Sequence, residues 1–167
     1  MIRSRVGVLS LTEGFESFPM WAHYADMAKG FAVIFENLHV CFPGDNTGSL
    51  NALKKVMYAE KFTGMTFDPS TQDQLFFSKI SDWSYEREWR IVKALQACRR
   101  LADKELYLAE ATPNPVTGVI CGWNVADEEI SWLGDELIRI NPCAKLHKAK
   151  LEGGKVTVQP PLVKQIP

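Results

Sequence analysis

The chain is short of most features that announce a function. Its 167 residues hold no C-x-x-C pair, and Cys41, Cys98, Cys121 and Cys143 lie far apart. With no export signal evident, these read as free, buried thiols rather than as disulfides. Zinc needs paired ligands at short spacing, and His23, His39 and His147 do not supply them, so no metal site is expected. The formal net charge is −1, which gives no field for nucleic acid or for an anionic membrane. No apolar run approaches the ~18 residues of a membrane span, and Val6–Leu11 is too short for a signal-peptide core. A cytoplasmic location is the resulting expectation. The spacing Gly44-x-x-x-Gly48 is not followed by Gly-Lys-Ser/Thr, so no phosphate loop is present. There is no repeat, no low-complexity tract and no linker long enough to divide domains.

What remains is an ordinary globular composition, 46% apolar and 23% charged, in a chain long enough for one sizeable core. One domain over residues 1–167 is expected, with residues 160–167 as an extended proline-rich tail. Arg5–Leu11 reads as a strand and Met20–Gly30 as a short helix, with Ser17 as cap and Pro19 in the first turn. Phe31–Glu36 is nearly all apolar and reads as a central strand buried on both faces. Leu53–Ala59 is expected as a third strand, with Lys54 and Lys55 at a solvated edge. A helix beginning at Asp68–Thr71 aligns Phe76, Ile80 and Trp83 on one apolar face. Leu106–Ala111 and Val116–Gly122 are further strands. Asn124 is placed to cap a helix over Val125–Ile138, with Gly134 a weak point in its middle. Glu152-Gly153-Gly154 marks a hairpin between Leu146–Leu151 and Lys155–Val158. The sum is an α+β fold: a mixed, largely antiparallel sheet of about seven or eight strands with about three helices.

The stretch Trp83-Ser84-Tyr85-Glu86-Arg87-Glu88-Trp89-Arg90 stands out, with three aromatics and four charges entering a strand expected over Glu86–Leu95. Strand alternation puts Glu86, Glu88 and Arg90 on one face and Arg87, Trp89 and Ile91 on the other. Clustered carboxylates carry a cost that a basic ligand, a buried arginine or a chemical task would offset. A second aromatic-polar element, Trp21, His23 and Tyr24, opens the first helix, and a helix start rich in polar-tipped aromatics is a common way to shape a pocket. Each feature also has a plain structural reading. Glu86 and Glu88 would pair with Arg87, Arg90 or Lys93 on an exposed strand face, and His23 would bond a backbone carbonyl or Asp26. Arg90 would pair with Glu88 or Glu36, Trp83 and Trp89 would fill a core, and Cys121 would be buried packing rather than a nucleophile.

The order Ser10-Leu11-Thr12, Met20-Trp21-Ala22-His23-Tyr24-Ala25, Lys29-Gly30-Phe31, Val56-Met57-Tyr58, Lys79 with Trp83, Tyr85-Glu86-Arg87-Glu88-Trp89-Arg90 and Val119-Ile120-Cys121-Gly122 resembles a bacterial domain-of-unknown-function family, number twenty-nine seventy-one. The likeness spans about Val6–Pro160. Members of that family carry a further N-terminal region, with a tyrosine-rich strand and an asparagine-aspartate-proline motif, which this chain is expected to lack. Glu86-Arg87-Glu88 also has the local form of the Glu-x-Glu pair of ADP-ribosyltransferase folds, a short pattern that occurs by chance in many strands. That likeness implies Glu88 and Glu86 as catalytic carboxylates with His23 as acid–base, Trp21, Tyr24 and Arg90 as ligand-binding residues, and NAD or a nucleotide as the small-molecule partner. Three function classes stay open on these residues. They are a glycosyl- or ADP-ribosyl-transferring enzyme, a non-catalytic interaction module of a stress or phage-defence system, and metal-assisted hydrolysis through His23, Glu86 and Glu88.

Overall fold

The computed structural model describes residues 6–36, 38–42, 51–61, 72–101, 106–111 and 114–162. In chain order the elements are β1 (Val6–Thr12), α1 (Phe18–Tyr24), β2 (Phe31–Phe35), α2 (Leu38–Cys41), β3 (Lys54–Lys55), β4 (Met57–Ala59), α3 (Gln72–Phe77), β5 (Ser78–Ile80), a 3₁₀ helix (Ser81–Glu86), β6 (Glu88–Ala94), a second 3₁₀ helix (Leu95–Ala97), β7 (Arg99–Arg100), β8 (Tyr107–Leu108), β9 (Val116–Cys121), α4 (Asp127–Ile140), β10 (Lys145–Glu152) and β11 (Lys155–Val158). This is an α+β fold whose strand pairs are mostly antiparallel. Parallel pairing is confined to β9 with β10 and β4 with β5. The elements divide into two compact units, each made of two stretches of chain: Met1–Glu13 with Leu38–Pro113, and Gly14–Asn37 with Asn114–Pro167. No helix among the described residues is long and apolar enough to cross a membrane.

The first unit centres on a three-stranded antiparallel sheet in the order β1-β6-β3. Directly opposed residues of antiparallel strands share a face. Ser10 opposes Arg90, Thr12 opposes Glu88 and Lys54 opposes Arg90, so these five side chains lie on one face. Leu9, Leu11, Lys55, Trp89 and Ile91 share the other. Both faces of β6 are covered: Ile91 is 3% exposed on one and Val92 0% on the other. The single strand expected over Leu53–Ala59 is two short ones, broken at buried Val56, whose N–H donates to Glu88 O at 2.9 Å. β4 then joins β5 rather than the main sheet. The apolar helical face expected through Phe76, Ile80 and Trp83 does not form. α3 stops at Phe77, and Ser78–Ile80 becomes the strand that pairs with β4. The expected start of that helix, at Asp68–Thr71, lies outside the described residues.

The second unit is a four-stranded mixed sheet in the order β11-β10-β9-β2. Its core has two sides. Trp21, Ala28, Ile120, Ala149 and Val156 pack on one, with Ala32 and Ile34 against them. Val119, Cys121, Val125, Ile130 and Leu137 pack on the other, beneath α4. β9 is therefore the strand buried on both faces, and the reading of Phe31–Glu36 as central is corrected. β2 is an edge strand whose Phe31 and Val33 are 50% and 38% exposed. A continuous apolar run does not by itself tell an inner strand from an edge. α4 runs unbroken through Gly134, which is buried. The expected cap, Asn124, is used elsewhere: its Nδ2 donates to Met27 O at 2.8 Å. The backbone N–H of Ala126 donates instead to Glu129 Oε2 at 3.4 Å. The hairpin turns at Gly153 and Gly154, both at positive φ (55° and 78°), as a tight two-residue loop requires.

The first helix is shorter than its sequence suggests. α1 ends at Tyr24, and Asp26, Met27 and Ala28 follow at φ 44°, 53° and 62°. Three left-handed non-glycine residues in a row are costly, about 1–2 kcal/mol each. Backbone bonds hold them: Ala28 N to Trp21 O at 3.2 Å, Lys29 N to Asp26 O at 3.1 Å and Gly30 N to Ala25 O at 2.9 Å. Asn124 N also donates to Ala28 O at 3.0 Å. Gly122 is glycine because a Cβ there would lie 2.1 Å from Ala28 O.

Candidate functional site

The site is built where the 3₁₀ helix meets β6. Arg87 closes the helix in a left-handed conformation, φ 44°, with its N–H on Ser84 O at 3.2 Å. The chain thus turns between the two glutamates instead of running straight through them, so Glu86 belongs to the helix end and Glu88 to the strand. Thr12 Oγ1 donates to Glu86 O at 2.7 Å. Glu88 is clamped by its backbone, with its N–H donating to Tyr58 Oη at 2.9 Å and its carbonyl accepting from Val56 N at 2.9 Å.

Both carboxylates are buried, Glu86 at 2% and Glu88 at 5% exposure, so the exposed strand face expected for them is not what forms. Two cations offset them. Lys79 Nζ, from β5, donates to Glu86 Oε2 and lies 3.5 Å from Glu88 Oε2. Arg90 holds Glu88 through Nε and Nη2, each at 2.8 Å, and donates its Nη1 to Phe76 O at 2.6 Å. This is the bidentate pairing that a guanidinium fork favours. Burial is the largest single influence on the Glu88 carboxyl and pushes its pKa up. The hydrogen bonds from Arg90 and Ser10, with the charges of Arg90 and Lys79, together outweigh it and hold the group below its usual range. Glu88 is therefore an anion at neutral pH. Two carboxylates, one ammonium and one guanidinium also close the charge balance that the sequence left open.

Aromatic rings border this network. Lys79 Nζ sits 4.9 Å from the centroid of Trp83, which is 36% exposed and tilted against Tyr85 at 6.0 Å. Lys54 lies over Phe77 at 5.1 Å. On the opposite sheet face, Glu13 Oε1 accepts from Lys55 Nζ at 2.6 Å and from Trp89 Nε1 at 2.9 Å, and those two bonds hold its carboxyl below its usual range. Trp89 is thus a partly exposed partner of a surface ion pair as well as a packing residue.

The six residues singled out from the sequence fall into two sets. Glu86, Glu88 and Arg90 form one network in the first unit. Trp21, His23 and Tyr24 belong to the second. There Trp21 is core, 4% exposed, with its Nε1 donating to Phe15 O at 2.6 Å and its ring 5.8 Å from Trp123. His23 and Tyr24 pack edge to face at 6.3 Å, and Tyr24 is 63% exposed. Sequence reasoning missed Lys79 as the shared cation, together with the supporting roles of Ser10, Thr12 and Tyr58. The signal was present: Ser10-Leu11-Thr12, Val56-Met57-Tyr58 and Lys79 with Trp83 are among the motifs that carry the family resemblance, and all of them meet around Glu88. Among the described residues no group of three or more His, Cys, Asp or Glu is placed to hold a metal ion. An apolar groove of ≈ 460 Å³ in the second unit, lined by Ile130, Leu137, Leu146, Pro161 and Leu162 among others, includes none of the six.

No curated protein and no solved structure matches this chain. Residues 20–91 match a family model described as "Protein of unknown function (DUF2971)", a span that ends one residue past Arg90 and takes in the whole Lys79–Glu86–Glu88–Arg90 network. The chain resembles DUF2971 over that segment.

Proposed function

We propose that the first unit is a nucleotide-handling domain of a cytoplasmic bacterial protein, taking NAD or a related ribosylated ligand, with chemistry of the glycosyl- or ADP-ribosyl-transfer class. Glu88 serves in it as a fixed anion. The supporting observation is the carboxyl of Glu88, held below its usual range on a bidentate Arg90. Proton donation at neutral pH needs a carboxyl pushed up, and this one is pushed down. An ionised carboxylate suits a different task. When a leaving group departs from a ribose carbon with the bonding electrons, positive charge develops on the sugar, and a preorganised anion stabilises it. The Lys79–Glu88 contact, at 3.5 Å, is longer than a good hydrogen bond, so it is the one a ligand hydroxyl would replace. Lys79 would keep Glu86, and Arg90 would keep Glu88 charged.

A second reading is a non-catalytic interaction module. It draws on the saturation of Glu88, whose oxygens already accept from Arg90 and Ser10 with Lys79 close by, about as many partners as a carboxylate takes. A thermal-shift panel of NAD, nucleotides and ribose phosphates, with an assay for nicotinamide release, separates the two. Under the first reading NAD raises the melting temperature by mass action, by the equivalent of about 2.7 kcal/mol at a hundred times its Kd. Glu88→Gln removes both that shift and any release. Silence across the panel from a folded protein favours the interaction module.

A further inference from the structure

We infer that β2 is a homodimerisation edge, on which a second copy of this chain continues the second unit's sheet by antiparallel β2–β2 pairing. The two edges of this sheet are built differently. β11 ends the sheet with Lys155 and Thr157 turned to solvent, a charge and a polar group of the kind that blocks further pairing. β2, at the other end, is Phe31-Ala32-Val33-Ile34-Phe35, with no charge, proline or glycine. Only its last step, Ile34/Phe35, is irregular against β9. Among the described residues no strand pairs with its outer side. Ala32 and Ile34 pack into the core beside Trp21. Phe31 and Val33 lie opposite Cys121 and Val119, on the α4 side of the sheet, yet stay 50% and 38% exposed.

A second copy is the occupant because the strand is complementary to itself. An antiparallel pair related by a two-fold axis through Val33 sets Phe31 of one copy opposite Phe35 of the other, and Ala32 opposite Ile34. It creates two aromatic cross-strand pairs and places no charge against another. The contact closes on itself, so it gives a dimer rather than a filament.

The test is sedimentation equilibrium of the full chain over a wide concentration range, for wild type, Val33→Lys and Val33→Glu. Each substitution places two like charges face to face at the axis. The wild type should show a reversible monomer–dimer equilibrium, and each variant alone should weaken it at least about tenfold. An equimolar mixture of the two variants should restore dimers, because lysine then faces glutamate. Restoration also shows that both variants are folded. A wild type that stays monomeric throughout overturns the inference. So do variants that dimerise like wild type, or a mixture that stays monomeric.

Discussion

Replacing Arg90 by leucine leaves Glu88 buried with its main partner gone. Arg90 supplies two bonds of 2.8 Å to that carboxylate and one of 2.6 Å to Phe76 O. Stripping one partner from a buried ion pair costs about 3–5 kcal/mol. Here Lys79 remains 3.5 Å from Glu88 Oε2, and the Arg90 side chain is 17% exposed, so water can enter where it stood. A loss of about 2–3 kcal/mol at pH 7 is the expected result. The pH dependence follows from the direction of the Glu88 shift. Its folded pKa lies below its unfolded value, so its stabilising contribution is present above the ordinary carboxylate range and is lost as pH falls through the folded pKa. Without Arg90 the carboxyl takes up a proton at higher pH. The penalty should therefore be full at neutrality and shrink below about pH 4. Glu88→Gln combined with Arg90→Leu should be less damaging than Arg90→Leu alone, since no unpaired charge is left behind. Urea unfolding followed by circular dichroism at pH 7 and pH 4 measures all of this. A loss under about 0.5 kcal/mol at pH 7, or an equal loss at both pH values, would refute the reasoning.

Two more outcomes follow from the left-handed turn after α1. Gly122→Ala would put a Cβ 2.1 Å from Ala28 O, a backbone atom that Asn124 N also holds, so a loss of at least about 3 kcal/mol in thermal or urea unfolding is expected. Met27→Gly should raise stability by about 0.5–1 kcal/mol, because Met27 is left-handed at φ 53° and glycine takes that conformation without strain. Its side chain is 54% exposed and gives up little packing, so a lower melting temperature for this variant would contradict the account of the turn.

Much of the fold was legible because its signals are local. The hairpin at Gly153-Gly154, the acidic first turn of α4 and the strand β1 each follow from patterns within a few residues. What was not legible depends on partners distant in sequence. Phe31–Phe35 is apolar enough to be central, but β9 takes that place, and nothing in β2 itself says so. Residues Gln72–Trp83 carry a helical spacing that loses to the pairing of Ser78–Ile80 with β4. The site divides in the same way. Strand alternation correctly put Glu88 and Arg90 on one face, opposite Trp89 and Ile91. It could not show that this face is buried, nor that Lys79, seven residues before Glu86, returns to bridge the two carboxylates. That bridge depends on the turn at left-handed Arg87, which no propensity scale would place at an arginine.

The most direct measurement is an NMR-detected titration of the Glu88 side-chain carboxyl in the folded protein. Held by Arg90, Ser10 and Lys79, the group should titrate below the ordinary glutamate value of about 4.3, and Arg90→Leu should move its midpoint upward. A midpoint at or above the ordinary value in the wild type would contradict the account, because Glu88 would then be a carboxyl that burial controls and not the fixed anion on which the proposed chemistry depends.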